Sequence, residues 1–174
     1  MFNRINQFFS ALNPKITFAQ TIYVQEVLDA EQARLFFNMS LADQSHCLKV
    51  AKTVEMLAAK YKQNIDKQLL IKAALLHDIG KNKKYSDVWY KTACVLMETL
   101  FPDYAAKIAA ENTDKIFLSK ALYYYYNHPQ IGADKLRDLS NEEKLALLVA
   151  WHHDKSKQNI LPELKLLQQA DNLN

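Results

Sequence analysis

The sequence has few of the residues that interrupt helices, and it lacks an alternating strand pattern. Its 174 residues include only two glycines and four prolines. Glycine and proline are the residues that most often mark turns and helix ends, and half-buried strands place apolar residues at every second position. No such alternation continues for more than a few residues here. These features argue against a β-rich fold and predict an all-α protein.

The sequence also lacks a cysteine framework and a long apolar run. Its two cysteines, Cys47 and Cys94, form no CxxC pair, and two isolated thiols are typical of a reducing compartment. No window approaches the roughly 18 consecutive apolar residues of a membrane span. The first residues, MFNRINQFFSALNPKITF, lack the apolar core and small-residue cleavage site of a secretory signal. We therefore expect a cytoplasmic protein that does not act at a membrane.

Charge of one sign is not in large excess. Lysine and arginine together number 22 against 19 acidic residues, which gives a net charge of +3. The basic residues are scattered, and the densest group, at 81–84, is typical of a solvated helix end. This balance gives no strong indication of a nucleic-acid partner. It would suit a small anionic substrate.

Helical periodicity is the dominant pattern that is present, with apolar residues at three-residue steps in segments such as 48–57. Pro102 separates two helices, and Pro129 is expected to end another, because the residue before a proline disfavours helical geometry. No linker divides the chain. We predict helices over residues 3–12, 17–27, 29 onwards, 40–60, 66–78, 86–100, 102–112, 116–127, 130–138, 140–154 and 162–171.

The five histidines lie at or near helix ends or at boundaries between polar and apolar residues. His77-Asp78 closes an apolar helix, where burying an unpaired ionisable pair would be costly. A first-row metal removes this cost, since imidazole and carboxylate are good ligands for zinc, iron, manganese or nickel. An aspartate can bridge two ions because each of its oxygens can bind one. Taken singly, however, each histidine is more often a hydrogen-bonded core residue than a ligand.

The order of these residues resembles the HD-domain superfamily of metal-dependent phosphohydrolases. HDIGK, from His77 to Lys81, looks like the motif of its HDIG-type members, and DQSHCLKVAKTV resembles the segment with the first histidine. HPQIGADKL and AWHHDKS resemble segments that carry three further ligands in the branch containing the HD-GYP cyclic-dinucleotide phosphodiesterases. The resemblance covers residues 40–174. It implies a helical-bundle HD domain there. Residues 1–39 match no motif, and we expect them to form an N-terminal helical extension that packs on this domain.

The resemblance also implies a site for two divalent transition-metal ions, which could be Fe, Mn, Zn or Ni. Asp78 would bridge the two ions and, with Lys81, act in catalysis, because the matching lysine contacts phosphate or polarises water. The first ion would be held by His46, His77, Asp78 and Asp171. The second ion would be held by His128, His152 and His153 in addition to the bridge.

The sequence departs from the HD-GYP branch in two respects. The Gly-Tyr-Pro signature after the histidine doublet is absent from HHDKSKQNILPEL, so hydrolysis of cyclic di-GMP is not expected. Position 42 is alanine and not a carboxylate, which argues against a third metal ion. Gly80 and Gly132 either permit a close backbone approach or simply cap helices. The tyrosine run at 123–126 either stacks a nucleobase or packs in the core.

Three functions fit these features. The first is hydrolysis of a small anionic phosphoester, of which nucleotides and cyclic nucleotides are examples, by water activated at a binuclear metal site. The second is oxidation of a small molecule at an HD-type di-iron site. The third is a non-catalytic HD signalling module. The complete ligand set favours an enzyme. The oligomeric state stays open, and a dimer is one of the alternatives.

Overall fold

The computed structural model describes residues 15–62, 64–139 and 142–174. Within these ranges the chain forms α-helices and two short 3₁₀ turns, Lys83–Tyr85 and Lys155–Lys157, and no strand, which confirms the all-α prediction. The predicted helix at 3–12 lies outside the described residues. The helices are α1 (Phe18–Val27), α2 (Ala30–Asn38), α3 (Leu41–Lys60), α4 (Lys67–Leu76), α5 (Val88–Leu100), α6 (Pro102–Glu111), α7 (Ser119–Leu139), α8 (Glu143–Trp151) and α9 (Pro162–Asn172). None of these helices has the length and apolar character needed to cross a membrane.

The main core surrounds α4. Its sequence, KQLLIKAALL, is apolar on most sides, and a helix of that kind must be enclosed by other elements. It packs against α1, α2, α3, α8 and α9. Asp66 caps its first turn by accepting a hydrogen bond from the Leu69 N–H. Because five helices enclose α4, its other end lies inside the protein, and His77 and Asp78 follow it there.

The first two described helices pack on this core. Val24 of α1 and Phe36 of α2 have no exposed surface, and both belong to the apolar cluster that contains α4. Ser40 caps α3 immediately afterwards by accepting from the Asp43 N–H. The division into an extension over 1–39 and an HD domain over 40–174 stays a prediction, since helices on both sides of residue 40 share one core.

A smaller apolar cluster joins α5, α6 and the first half of α7. Pro102 occupies the first turn of α6, as the predicted break between the two helices requires. The buried members of the cluster are Cys94, Ala105, Ile108, Ala109, Ala121 and Leu122. It forms a second packing unit beside the main core.

Helix α7 differs from the prediction. Separate helices were expected over 116–127 and 130–138, but one helix continues through Pro129, so the predicted break at His128-Pro129 is wrong. Proline has no N–H, and the carbonyl oxygen of Tyr125, four residues earlier, therefore loses its usual backbone donor. The Nδ1 atom of His128 donates to that oxygen at 2.8 Å. This bond, together with packing of α7 on α6 and α8, allows the helix to continue.

Helices α4 and α8 end in the same way. Each was expected to continue past a histidine, over 66–78 and 140–154, but each ends at the residue before one, at Leu76 and Trp151. Residues 140 and 141, where α8 was expected to begin, lie outside the described part of the chain. The histidines that follow, His77 and His152, occupy the C-cap positions.

Candidate metal centre

Three histidines share one local arrangement. The Nδ1 atoms of His77, His128 and His152 each lie within hydrogen-bonding distance of the backbone carbonyl oxygen three residues earlier, at 2.9, 2.8 and 2.6 Å. A carbonyl oxygen only accepts, so each Nδ1 carries a proton and donates it. In the neutral ring the other nitrogen, Nε2, then has the lone pair. The three rings are therefore oriented to offer Nε2 to a cation.

Two of these Nε2 atoms face each other closely. The Nε2 atoms of His128 and His152 lie 3.3 Å apart. Both side chains are buried, and two neutral rings of this tautomer would oppose two lone pairs at this distance. Two nitrogens that bind the same tetrahedral zinc ion at about 2.0–2.1 Å are about 3.3 Å apart. The spacing therefore fits two ligands of one metal ion.

Asp78 directs its two carboxylate oxygens toward different histidines. Its Oδ1 lies 3.5 Å from His128 Nε2. Its Oδ2 lies 3.6 Å from His77 Nε2 and 4.0 Å from His46 Nε2. Only 1% of the Asp78 side chain is exposed. The geometry is that of a carboxylate that could join two cations.

Asp171, in the last turn of α9, completes the cluster. Its Oδ1 accepts a hydrogen bond from His46 Nε2 at 2.9 Å and lies 3.6 Å from His77 Nε2. Its Oδ2 lies 3.9 Å from His153 Nδ1. The His153 side chain is the most open of the set, with 56% of its surface exposed, and its ring centroid lies 4.0 Å from that of His152. His153 thus lies at the solvent side of the centre.

The structure brings together all seven residues that the resemblance implied as ligands. Their ligand atoms form three overlapping groups, and within each group all atoms lie within 4.8 Å of one another. The groups are His46, His77 and Asp78; His128, His152 and His153; and His77, His152 and Asp171. Among the described residues, His77 Nε2 is a buried atom without a hydrogen-bond partner, which a metal ion would satisfy. Their role as ligands stays a prediction.

Charge around Asp78 and His77 favours a cation between them. Burial by itself would raise the pKa of Asp78, but Lys81 and the neighbouring histidines outweigh it and hold that pKa well below its usual range. Burial would lower the pKa of His77, but Asp78, Cys47 and Asp171 together outweigh it and raise that pKa well above its usual range. The surroundings that favour a proton on His77 also favour a metal ion at this residue, and a bound ion would displace the proton.

Three other histidines of the cluster, two of them buried, are held neutral. Burial lowers the pKa of His128 to about 4. Burial, followed by the charges of His77, His153 and His128, lowers the pKa of His152 well below its usual range. Burial also lowers the pKa of His153. Neutral imidazole is the form that binds metal, so these three rings are available as ligands near neutral pH.

Asp43 is a buried acidic residue that the sequence analysis missed. It lies on α3, and 1% of its side chain is exposed. Its Oδ1 lies 2.6 Å from Lys91 Nζ and 4.0 Å from Lys81 Nζ. The available signal was its spacing, three residues before His46, which places both residues on one face of the helix. Position 42, one residue earlier, is alanine.

A cleft of about 190 Å³ opens beside His128 and His153. Lysine and tyrosine side chains contribute to its walls, with Tyr124 and Tyr125 coming from the tyrosine run. The Tyr124 ring stacks on Tyr85, with centroids 5.9 Å apart. Tyr125 also packs against the smaller apolar cluster, as does its neighbour at position 126. The run therefore contributes to both cleft and core, and nucleobase stacking stays a prediction.

The two glycines allow a close approach between the turn after α4 and helix α7. A Cβ atom on Gly80 would lie 1.9 Å from the His128 carbonyl oxygen and 2.7 Å from the Gly132 nitrogen. A Cβ atom on Gly132 would lie 3.0 Å from Val149 Cγ1 and 3.3 Å from the Gly80 nitrogen. Neither glycine has a positive φ angle. Close approach, and not a left-handed helix cap, is therefore what these positions require.

The comparisons with known proteins agree with this geometry. The family model of the HD domain matches residues 44–174, which is most of the chain and contains all seven clustered residues. A search of curated proteins and a search of solved structures found no match. HD domains are typical of metal-dependent phosphohydrolases, although some members are non-catalytic. By this match, the chain belongs to the HD domain family.

Proposed function

We propose that this protein is a metal-dependent phosphohydrolase that acts on a small anionic phosphoester through a binuclear centre. The observation that carries the proposal is the position of Asp78 between two groups of histidines. One carboxylate oxygen faces His128 and the other faces His77 and His46. If Asp78 were a terminal ligand of a single ion, a second set of imidazoles beside its other oxygen would serve no purpose in binding.

The candidate ligands would divide between two ions, with Asp78 shared. One ion would take His46, His77 and Asp171, and the other would take His128, His152 and His153. These are nitrogen and oxygen ligands of the kind that iron, manganese, zinc and nickel accept. When bound, two divalent ions would lower the pKa of a water molecule toward neutrality and offset the charge on the attacking and leaving oxygens.

The protein itself would orient the ligands and bind the substrate. The bonds from Nδ1 to backbone carbonyl oxygens hold three of the imidazole rings in position. Lys81 Nζ donates to Asp78 Oδ2 at 2.6 Å, and its side chain also lines the cleft. An ammonium group there can donate a further hydrogen bond to a phosphate oxygen. The cleft beside His128 and His153 would take the organic group of the ester.

The test combines metal analysis with turnover. Protein loaded with Mn, Fe, Zn or Ni is dialysed and its bound metal is measured by plasma emission. Hydrolysis of p-nitrophenyl phosphate and of bis-p-nitrophenyl phosphate is then followed. We expect two equivalents of metal and hydrolysis that chelation removes and metal restores. The Lys81→Ala variant should keep its metal and lose turnover, whereas Lys83→Ala, an exposed neighbour, should keep both.

Other outcomes would indicate the other functions. Two equivalents of iron without hydrolysis of either ester would point to oxidation of a small molecule at a di-iron site. A protein that binds no metal under any of these conditions would be a non-catalytic module, and the proposal would be wrong.

A further inference from the structure

Two lysines border the cleft next to the candidate metal centre. Lys81 comes from the turn after α4, and Lys91 comes from α5; both line the cleft. Asp43 lies between them, with its Oδ1 atom 2.6 Å from Lys91 Nζ and 4.0 Å from Lys81 Nζ. One buried carboxylate therefore positions two ammonium groups from separate elements at one side of the cleft.

The two lysines provide more charge than Asp43 requires. One close ammonium group is enough to pair a buried carboxylate, and Lys91 already supplies it. Lys81 contacts Asp78, whose charge is shared with two metal ions in the proposed function. The lysine side chains remain 26% and 40% exposed, and each ammonium group has three donors. The cleft thus has an excess of positive charge and of donors beside the centre.

We propose that Lys81 and Lys91 together bind the terminal phosphate of a phosphomonoester and thereby select it over a phosphodiester. Lys91 is the substrate-binding residue that this assigns, and Asp43 is a positioning residue that holds it. This inference rests on the proposed function, because the phosphate must lie within reach of the centre.

The selectivity follows from charge and from hydrogen bonding. Near neutral pH a monoester phosphate carries close to two negative charges, whereas a diester carries one. Coulomb attraction to a fixed pair of cations scales with the charge of the ligand. The terminal phosphate also has three oxygens that can accept from the ammonium groups, whereas a diester has two and a second substituent. The lysine pair therefore favours the dianion.

The test uses matched variants of the metal-loaded protein. Lys91→Ala removes the charge, Lys91→Arg keeps it, and Asp43→Asn removes the carboxylate that holds it. Lys107→Ala, an exposed position on α6, is the control. For each variant, kcat and KM are measured with p-nitrophenyl phosphate and with bis-p-nitrophenyl phosphate. The Kd of inorganic phosphate is measured by titration calorimetry, and a melting curve checks folding.

We expect Lys91→Ala to raise the KM for the monoester and the Kd of phosphate about tenfold, which is the weight of one charge-assisted contact. The kcat/KM for the diester should fall only about threefold, because a ligand with half the charge loses about half of the free energy. Lys91→Arg should restore most of the phosphate affinity. Asp43→Asn should raise the monoester KM while kcat stays within about twofold, and the control should match the wild type.

Several results would overturn the inference. Equal losses on both esters in Lys91→Ala would show that Lys91 does not select the monoester, and an unchanged phosphate Kd in that variant would show that Lys91 does not bind phosphate. A wild-type protein that prefers the diester would refute the selectivity and leave the proposed function standing. Absence of hydrolysis of both esters would contradict the proposed function instead, and the phosphate titration would still decide whether Lys91 binds phosphate.

Discussion

His128 Nε2 lies 3.5 Å from Asp78 Oδ1, although one residue belongs to α7 and the other follows α4. The contact between Gly80 and the His128 backbone brings these two elements together. His128, and with it the second group of histidines, therefore lies beside Oδ1 of Asp78. Asp78 is thus placed between both groups of candidate ligands, and Asp171 also approaches the second group, since its Oδ2 lies 3.9 Å from His153 Nδ1.

This position predicts that the two aspartates differ in importance. Asp78→Ala should lose both metal equivalents, because the shared ligand is gone. Asp171→Ala should keep one equivalent, since Asp171 is a terminal ligand beside His46 and His77. Metal content after dialysis, measured by plasma emission, checks this difference. Comparable loss of both metals in the two variants would contradict the bridging role.

Removal of His152 should abolish the binding of one metal ion and leave the other ion bound. Its Nε2 lies 3.3 Å from that of His128, so His152→Ala removes half of that pair. We expect one bound equivalent and little hydrolysis, since a single ion activates the attacking water less well. Cys47→Ala is the control, because Cys47 Sγ lies 3.8 Å from His77 Nδ1 and not on its ligand side. A His152 variant with two tightly bound ions would rule out the second site.

Pro129 is expected to tune metal affinity through the backbone. Pro129→Ala restores an N–H that competes with His128 for the Tyr125 carbonyl oxygen. The His128 ring should then be held less firmly, and metal affinity should fall several-fold while the helix itself is stabilised. Competition with a chelating dye measures the affinity, and Pro102→Ala, in the first turn of α6, is the control. An affinity equal to the wild type would show that the bond to Tyr125 does not matter for binding.

The approach of Gly80 to α7 predicts a large effect on stability. Gly80→Ala places a methyl group against the His128 carbonyl and the Gly132 backbone, which cannot move as a side chain can. We expect a loss of about 3 kcal/mol or more in the free energy of unfolding. Gly132→Ala meets chiefly the Val149 and Ile79 side chains and gains helix propensity, so it should cost about 1 kcal/mol or less. Urea unfolding of both variants tests the ranking, and a milder Gly80 variant would disprove it.

Much of the arrangement could be predicted from the sequence because the signals are local. Asp66 and Ser40 mark the beginnings of α4 and α3, and the apolar run before His77 indicates a buried helix. The convergence of the clustered residues was predictable from their order, which is a family pattern and not a result of helix propensity.

Other parts depend on contacts that no local pattern records. The continuation of α7 through Pro129 requires a side chain to replace a backbone donor and neighbouring helices to hold the segment. The Asp43–Lys91 ion pair joins two residues that lie 48 positions apart in the sequence, on α3 and α5. Asp43 is the first residue of the DQSHCLKVAKTV segment, but nothing in that segment indicates Lys91 as its partner, and their meeting is decided by tertiary packing.

The buried neutral histidines have a consequence for the stability of the metal-free protein in acid. The folded state holds the pKa of His128 at about 4, against 6.5 for the free side chain. A base with a lowered folded pKa contributes stability above its unfolded pKa and loses it as the pH falls toward the folded one. This stability is therefore lost between pH 6.5 and pH 4. The pKa values of His152 and His153 are also lowered, so these residues act in the same direction. The raised pKa of His77 contributes stability that is fully present below pH 6.5 and is lost only as the pH rises through the folded pKa, so it does not change within this window.

The metal-free protein should thus lose stability on acidification between pH 6.5 and 4, by about 3 kcal/mol at most from His128. Melting curves after chelation, recorded from pH 8 to pH 4.5, measure the loss, and His128→Gln should show a shallower decline. A melting temperature that is constant or rises toward acid would contradict it. Protons and metal ions compete for the same nitrogens, so mild acid would empty the centre and loosen the fold together. Such a protein would act only where the surroundings are both neutral and supplied with metal.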